Sequence, residues 1–286
     1  MNSIKTAVLM AGLAGILMFI GGMVAGDRGI AMMFIVALGM NFFSYWFSDK
    51  LVLRVYNAQE VSASSAPELY GLVQQLAANA SLPMPKVYII PTDTPNAFAT
   101  GRDPNHAAVA VTNGIMRMLN RDELAGVIGH ELGHVKNRDI LIQTIAATFA
   151  TAISFVASMA RWGAMFAGGS RDDDRDGGGA LGMLFAAIVA PIAAMLIQMA
   201  ISRSREFMAD RAGAEISGQP LSLARALQKI SMGVERFPLT QTPTHNATAH
   251  LFIMKPFSGS GLASLFSTHP ATEERIARLQ ELAKHS

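Results

Sequence analysis

The chain contains no cysteine. Disulfides, thiolate metal sites and cysteine nucleophiles are therefore excluded, and any metal must be held by His, Asp or Glu. Charge is also scarce: 15% of the 286 residues are Asp, Glu, Lys or Arg, against roughly 25% in a soluble domain. The deficit points to surface that faces lipid. The formal net charge is only +2, and no basic tract suited to nucleic acid is present. Met32-Met33 and the methionines from Met183 to Met199 sit in apolar segments, where they read as apolar filling and not as a copper site.

What the sequence has instead is long uncharged runs. Residues 6–26, 29–48, 140–160 and 177–202 carry no charge, and each is long enough for the roughly 20 apolar residues that cross a bilayer. Only Asp27-Arg28 separates the first two, which predicts a tight helical hairpin. A cleaved signal peptide competes for the first run, but the run is long and a second span follows at once, so a retained anchor is expected. The third run carries Thr144, Thr148, Thr151 and Ser154 and also suits a buried helix. The fourth contains Pro191, tolerated in a membrane helix if neighbours satisfy the freed carbonyl. Between them, 161–176 ends in an acidic run followed by three glycines, a hydrated loop. Lys5, Lys50, Arg54, Lys136, Arg138, Arg203, Arg205 and Arg211 flank the spans on one side; Arg28, Arg161, Arg171 and Arg175 lie on the other. That bias predicts that both termini and 49–139 face the cytoplasm.

The polar part reads as α+β, predominantly helical. Leu69, Leu72, Val73 and Leu76 have helical spacing within 66–80. Residues 86–91 read as a short strand, and 96–100 and 107–112 as two more joined by a turn at 101–105. Asn120 with Glu123 forms a capping-box pattern that opens a helix. Later helices are expected at 221–234 and 270–284, the latter with Pro270 at its first position. The boundaries that follow are 1–48 for a transmembrane hairpin, 49–139 for the first part of a catalytic domain, 140–202 for a second hairpin and 203–286 for the second catalytic part.

The chemistry sits in His130-Glu131-Leu132-Gly133-His134. Residues four apart stack on one helical face, so two imidazoles reach one zinc ion at about 2.0–2.1 Å. Glu131 lies about 100° round the helix from His130, beside the metal without ligating it. A catalytic zinc needs a third protein ligand and keeps one position open. Asn137 stands where an extended metzincin motif needs glycine, so that pattern fails. Glu206 is the candidate, with Asp210 four residues on to accept a hydrogen bond from an imidazole. By spacing alone, an acidic face solvated beside Arg203, Arg205 and Arg211 is an equal reading. If the third and fourth runs cross the bilayer as a hairpin, their polar ends return His134 and Glu206 to one membrane face.

Taken in order, the hairpin, Asn96-Ala97-Phe98-Ala99-Thr100-Gly101, His130–His134 with Asp139, Glu206-Phe207-Met208-Ala209-Asp210, and Thr268-His269-Pro270 with Arg275 resemble the HtpX-type membrane proteases, relatives of the CAAX prenyl-protein endopeptidases. The resemblance covers nearly the whole chain. It implies a gluzincin-like catalytic domain on about four transmembrane helices, one Zn2+ with Glu206 as third ligand, and Glu131 as general base. It also implies multi-pass residence in the inner membrane, protein substrates and quality control of damaged membrane proteins under stress. By the same resemblance His269 is an oxyanion donor; a helix N-cap before Pro270 is the competing role. Arg275 would brace acidic groups of the site or form a surface salt bridge. Asn96, Ala97 and Phe98 would line the cleft as a sheet edge able to pair with an extended peptide. Arg138 departs from the smaller residue usual at its position. The loop at 238–265 suits a mobile flap, with His245 and His250 loosely lining the cleft, and His106 and His285 exposed.

Two other functions are weighed against this one. An intramembrane protease places its motif inside an apolar span, whereas here Arg121-Asp122-Glu123 precede it and Lys136-Asn137-Arg138-Asp139 follow. A non-catalytic metal protein or transporter has no need of Glu131, and a transporter carries ionisable residues within its spans, which these lack.

Overall fold

The structure, a computed structural model, describes residues 2–145, 203–240, 242, 245, 248–254 and 270–285. The rest of the expected third span, the fourth span, the loop at 161–176 and His269 lie outside the described residues.

Helix α1 (Asn2–Val55) is interrupted at Ala25 (φ −140°, ψ 21°) and Gly26 (φ 57°, ψ −141°). Gly26 is in the region open to glycine, and the chain reverses there. A side chain on Gly21 or on Gly29 would collide with the other's backbone, so the two arms touch at these glycines. Further from the turn, Asn41 Nδ2 donates to the Met10 carbonyl at 3.3 Å. The second arm, Ala25–Val55, is long and apolar enough to cross a membrane: its most apolar 18-residue window has mean hydropathy 1.7 and is only 11% buried. Such exposure excludes a core helix and fits lipid contact. The apolar stretch of the first arm, Thr6–Phe19, is shorter. One helix among the described residues thus has the length and composition of a span.

The second arm does not stop with its apolar run at Ser48. It continues to Val55 because Val52, Leu53 and the following Tyr56 are buried against a sheet. That sheet has the order β1-β2-β4-β3, with β1 (Gln59–Val61), β2 (Lys86–Ile90), β3 (Ala97–Gly101) and β4 (Ala107–Thr112). β2 and β4 are parallel, and the other two pairings are antiparallel. β3 is an edge. One sheet face, with Val87, Ala97, Ala99, Val109 and Val111, joins the main core under α2 (Pro67–Asn79) and the motif helix. The opposite face, with Ile90, Phe98, Ala108 and Ala110, packs on the end of α1 and on Leu251 and Phe252. Both faces are covered, so the strands read as apolar runs without alternation.

A short helix, α3 (Asn113–Met118), is capped by the Thr112 side chain. It leads into the motif helix α4 (Arg121–Lys136), where Asn120 and Glu123 make the expected capping box. Arg138 follows with φ 57°, the left-handed residue that commonly ends a helix. There it lets the Asp139 amide bond back to the His134 carbonyl at 2.9 Å. A helical turn at residues 140–145 then places Ile142 and Ile145 against Met10, Leu17 and Met40 of the α1 hairpin.

Helices α5 (Arg203–Ser217), α6 (Pro220–Arg236) and α7 (Thr272–Lys284) complete the fold. α7 starts two residues after Pro270. Ala271 has an extended ψ of 136°, and the first full-turn bond runs from the Arg275 amide to the Ala271 carbonyl at 3.2 Å. Pro270 is therefore outside the helix and not at its first position.

α4 and α5 pack with their backbones in contact. A Cβ on Gly213 would lie 2.7 Å from the His130 nitrogen, and one on Gly129 2.9 Å from the Gly213 carbonyl oxygen. Both neighbours are backbone, so neither can move aside cheaply. Gly213→Ala is expected to cost about 1–3 kcal/mol by overpacking, or about 2–4 °C of thermal midpoint per kcal/mol. Thermal unfolding in detergent reads this, and an unchanged midpoint would show that the contact is not limiting.

Candidate metal centre

The close α4–α5 approach brings three potential ligands together. His130 and His134 project from one face of α4, with their rings 4.9 Å apart and perpendicular. Glu206 faces them from the first turn of α5. His130 Nε2 lies 3.8 Å from Glu206 Oε2, and His134 Nε2 lies 3.6 Å from Glu206 Oε1. One ligand atom from each of the three residues lies within 4.8 Å of the others. Tetrahedral zinc with bonds near 2.0–2.1 Å sets its ligand atoms about 3.4 Å apart, so the cluster is close to a coordination shell.

The second nitrogens fix which way the imidazoles point. His130 Nδ1 is 2.9 Å from Asp210 Oδ1, and His134 Nδ1 is 3.3 Å from Asp139 Oδ2. Each carboxylate holds a proton on Nδ1 and leaves Nε2 as a lone pair aimed at the common point. His130 Nε2 is buried and has no hydrogen-bond partner among the described residues. A buried acceptor without a partner is costly, and a cation at this point removes the cost. Charge agrees. Metal ligation requires neutral imidazoles and ionised carboxylates; in that state the buried Glu131, Asp139, Glu206 and Asp210 outnumber the buried Arg205 and Arg275 by two negative charges. A divalent ion balances them.

Protonation tendencies follow the same arrangement. Burial pushes His130 down to about 4, against the pull of Asp210. Burial acts in the same direction on His134, but Asp139, Glu206 and Glu131 outweigh it and push the group up to about 9. The two imidazoles differ because Arg275 offsets the charge of Asp210, whereas His134 faces three carboxylates. Asp210 falls to about 2: burial alone would raise it, and Arg275 prevails.

Arg275 is almost fully buried, at 1% exposure. Its Nε and Nη2 donate to the two oxygens of Asp210 at 2.8 and 2.6 Å, and Nη1 donates to the Ile253 carbonyl at 2.9 Å. The two-pronged pairing matches guanidinium and carboxylate geometry. This excludes the surface salt bridge weighed from the sequence.

Glu131 stands beside the cluster with its Oε2 accepting the Ala99 amide at 2.9 Å. Its Oε1 is buried and has no hydrogen-bond partner among the described residues. Burial pushes its carboxyl up to about 8; next to a bound cation it is drawn back towards its basic form.

Ala99 was not singled out in the sequence. The expected edge residues occupy other places: Asn96 Nδ2 donates to the Met254 carbonyl at 2.8 Å, the Ala97 carbonyl accepts the Ile253 amide at 3.1 Å, and Phe98 packs on Tyr56 and Phe252 across the sheet. Strand alternation carried a usable signal, since Ala97 and Ala99 share a side and differ from Phe98. His250 is buried, with Nε2 3.1 Å from the Gln143 carbonyl, and His245 stacks on Tyr56. His106 pairs with Asp103.

Residues 63–283 match Peptidase family M48. The chain belongs to peptidase family M48. This M48 peptidase is 59% identical over 281 residues to a protein named Protease HtpX homolog in Methylibium petroleiphilum, covering 98% of each chain. It is 57% identical over 278 residues to another of that name in Desulfatibacillum aliphaticivorans, covering 97% of this chain and 89% of the relative. The crystal structure of S. mikatae Ste24p shares the fold, with TM-score 0.51 at 17% identity. That likeness covers 97% of this M48 peptidase, which spans 65% of the Ste24p chain. Family and site together make the protein a membrane-associated metalloendopeptidase.

Proposed function

We propose that this M48 peptidase is a zinc-dependent endopeptidase, that His130, His134 and Glu206 hold the ion, and that it cuts membrane proteins at the cytoplasmic face of the inner membrane. The observation that carries the reading is the convergence of three ligand atoms with a fourth buried carboxylate, Glu131, held beside them and not among them. Nitrogen and oxygen donors in a compact buried set suit zinc.

When bound, zinc polarises the scissile carbonyl and lowers the pKa of water towards about 7. The protein's own groups do the rest. The Ala99 amide holds Oε2 of Glu131, so Oε1 takes the water proton and later returns it to the leaving amine. Asp210 and Asp139 keep the Nδ1 protons in place, and Arg275 keeps Asp210 ionised. The outward backbone groups of β3 beyond Ala97, the Ala99 carbonyl and Gly101, pair with an extended substrate; Asn96, Ala97 and Phe98 hold that edge. His269 serves as oxyanion donor. Quality control of damaged membrane proteins belongs to this reading through the resemblance to the HtpX-type membrane proteases, and the basic flank of the spans supports the cytoplasmic orientation.

The purified chain in detergent is expected to retain one zinc per subunit and to cut casein. Activity should vanish with a chelator and return with added zinc. Unchanged cleavage after complete metal removal would overturn the assignment.

A further inference from the structure

The end of α1 carries an exposed aromatic band. Phe42, Phe43, Trp46 and Phe47 are 62%, 50%, 42% and 38% exposed, and Asp49-Lys50 follow after Ser48. The band is flanked by cations: Lys50 Nζ lies 5.4 Å from the Phe47 ring centre, and Arg102 Cζ lies 4.6 Å from that of Trp46. Arg102 comes from the turn after β3, where it also reaches Asp103 at 3.6 Å. Aromatic rings at the end of an exposed apolar helix, topped by cations, match the chemistry of a phospholipid headgroup layer. The β3–β4 turn therefore rests at the same level as the aromatic band.

A second contact fixes the direction of β3. Tyr56 meets Phe98 with ring centres 5.8 Å apart. From Trp46 to Tyr56 the helix rises about 15 Å, and from Arg102 back to Phe98 the strand spans about 13 Å. Nearly equal lengths between two shared contacts mean that β3 runs alongside α1, antiparallel to it. Ala99, whose amide holds Glu131, is three residues from Arg102, or about 10 Å along the strand.

We infer that β3 is a ruler standing on the headgroup layer, which sets the catalytic carboxylate about 10 Å from it and makes juxtamembrane segments of membrane proteins the substrate class. The inference rests on the endopeptidase reading above. An extended chain advances about 3.3 Å per residue, so the first bond to reach the cleft lies about three residues beyond a substrate's span. Tilting α1 only shortens this reach.

The test uses the zinc-loaded full chain in lipid vesicles, with a single-span substrate whose unstructured tail has a repeating sequence. Mass spectrometry maps the cut bonds. The first cut is expected about three residues out, with cleavage per bond falling about eightfold between ten and forty residues, as tethered concentration falls. In parallel, Trp162→Phe leaves Trp46 as the only tryptophan of two, and brominated lipids report its depth. Strongest quenching by bromine near the headgroups is expected. Cuts within the first two residues overturn the ruler, as does quenching strongest at the bilayer centre. No quenching at any depth means that protein, not lipid, covers the band, and overturns it too. If casein in detergent is also uncut, the endopeptidase reading itself has failed and the substrate class falls with it. Casein cleavage with a failed ruler removes only this inference.

Discussion

Glu131→Gln is expected to lower proteolysis about a thousandfold, within the 10²–10⁴ range of general acid–base catalysis, while the chain keeps its full equivalent of zinc. The amide has nearly the same shape as the carboxylate. Its carbonyl oxygen still accepts the Ala99 N–H now bonded to Oε2 at 2.9 Å, which leaves an NH2 group where the unpartnered Oε1 stood. That group cannot take a proton. The three ligands are untouched, and a buried carboxyl whose ionisation burial already opposes has been made neutral, so folding should not suffer. Glu206→Ala gives the contrasting result, losing metal and activity together. Casein cleavage and metal content measured on the same samples separate the two outcomes. A Glu131→Gln protein that cuts at the wild-type rate would remove Glu131 as the base, and a Glu206→Ala protein with full zinc would remove Glu206 from the ligand set.

Much of this site was legible in the sequence because it depends on helical spacing. His130 and His134 share a face of α4, Glu206 and Asp210 share a face of α5, and those relations survive any tertiary arrangement. The pairing of the two helices was not legible from spacing; it depends on Gly129 and Gly213 meeting across the interface, and their positions in the chain do not announce it. The resemblance carried Glu206 past an ambiguity that local sequence left open. The resemblance named Asp139, but its reach to His134 depends on Arg138, which adopts φ 57° and turns the chain back. β1 escaped notice because Gln59-Glu60-Val61 is short and polar; it exists by pairing with β2 and through the bonds of Lys86 and Tyr88 to Glu60. The run of α1 past Ser48 was missed for a related reason. A hydropathy window ends where charge begins, whereas the helix ends where Tyr56 meets Phe98 and Phe252.

Arg275→Met is expected to destabilise the folded protein by about 3–5 kcal/mol, the cost of leaving one member of a buried ion pair alone. Its zinc affinity should fall about 10–100-fold, as is usual when a group that orients a ligating histidine is lost. Asp210 is the reason. Its carboxyl is held near 2 by Arg275 despite burial, and it in turn holds the Nδ1 proton of His130 at 2.9 Å. Without the guanidinium the carboxyl takes up a proton more readily, and its hold on the imidazole weakens. The damage should also spread to the sheet edge, because Nη1 anchors the Ile253 carbonyl and the Ile253 amide caps the Ala97 carbonyl. Arg275→Lys keeps the charge but cannot make the two-pronged bond, so it should fall between wild type and Arg275→Met. Adding Asp210→Asn to Arg275→Met removes the stranded charge. The double variant should regain much of the stability and little of the zinc affinity, since an amide orients His130 less strongly than a carboxylate. Thermal unfolding with zinc titration distinguishes these cases, and an Arg275→Met protein as stable and as tight for zinc as wild type would show that the buried pair does not support the site.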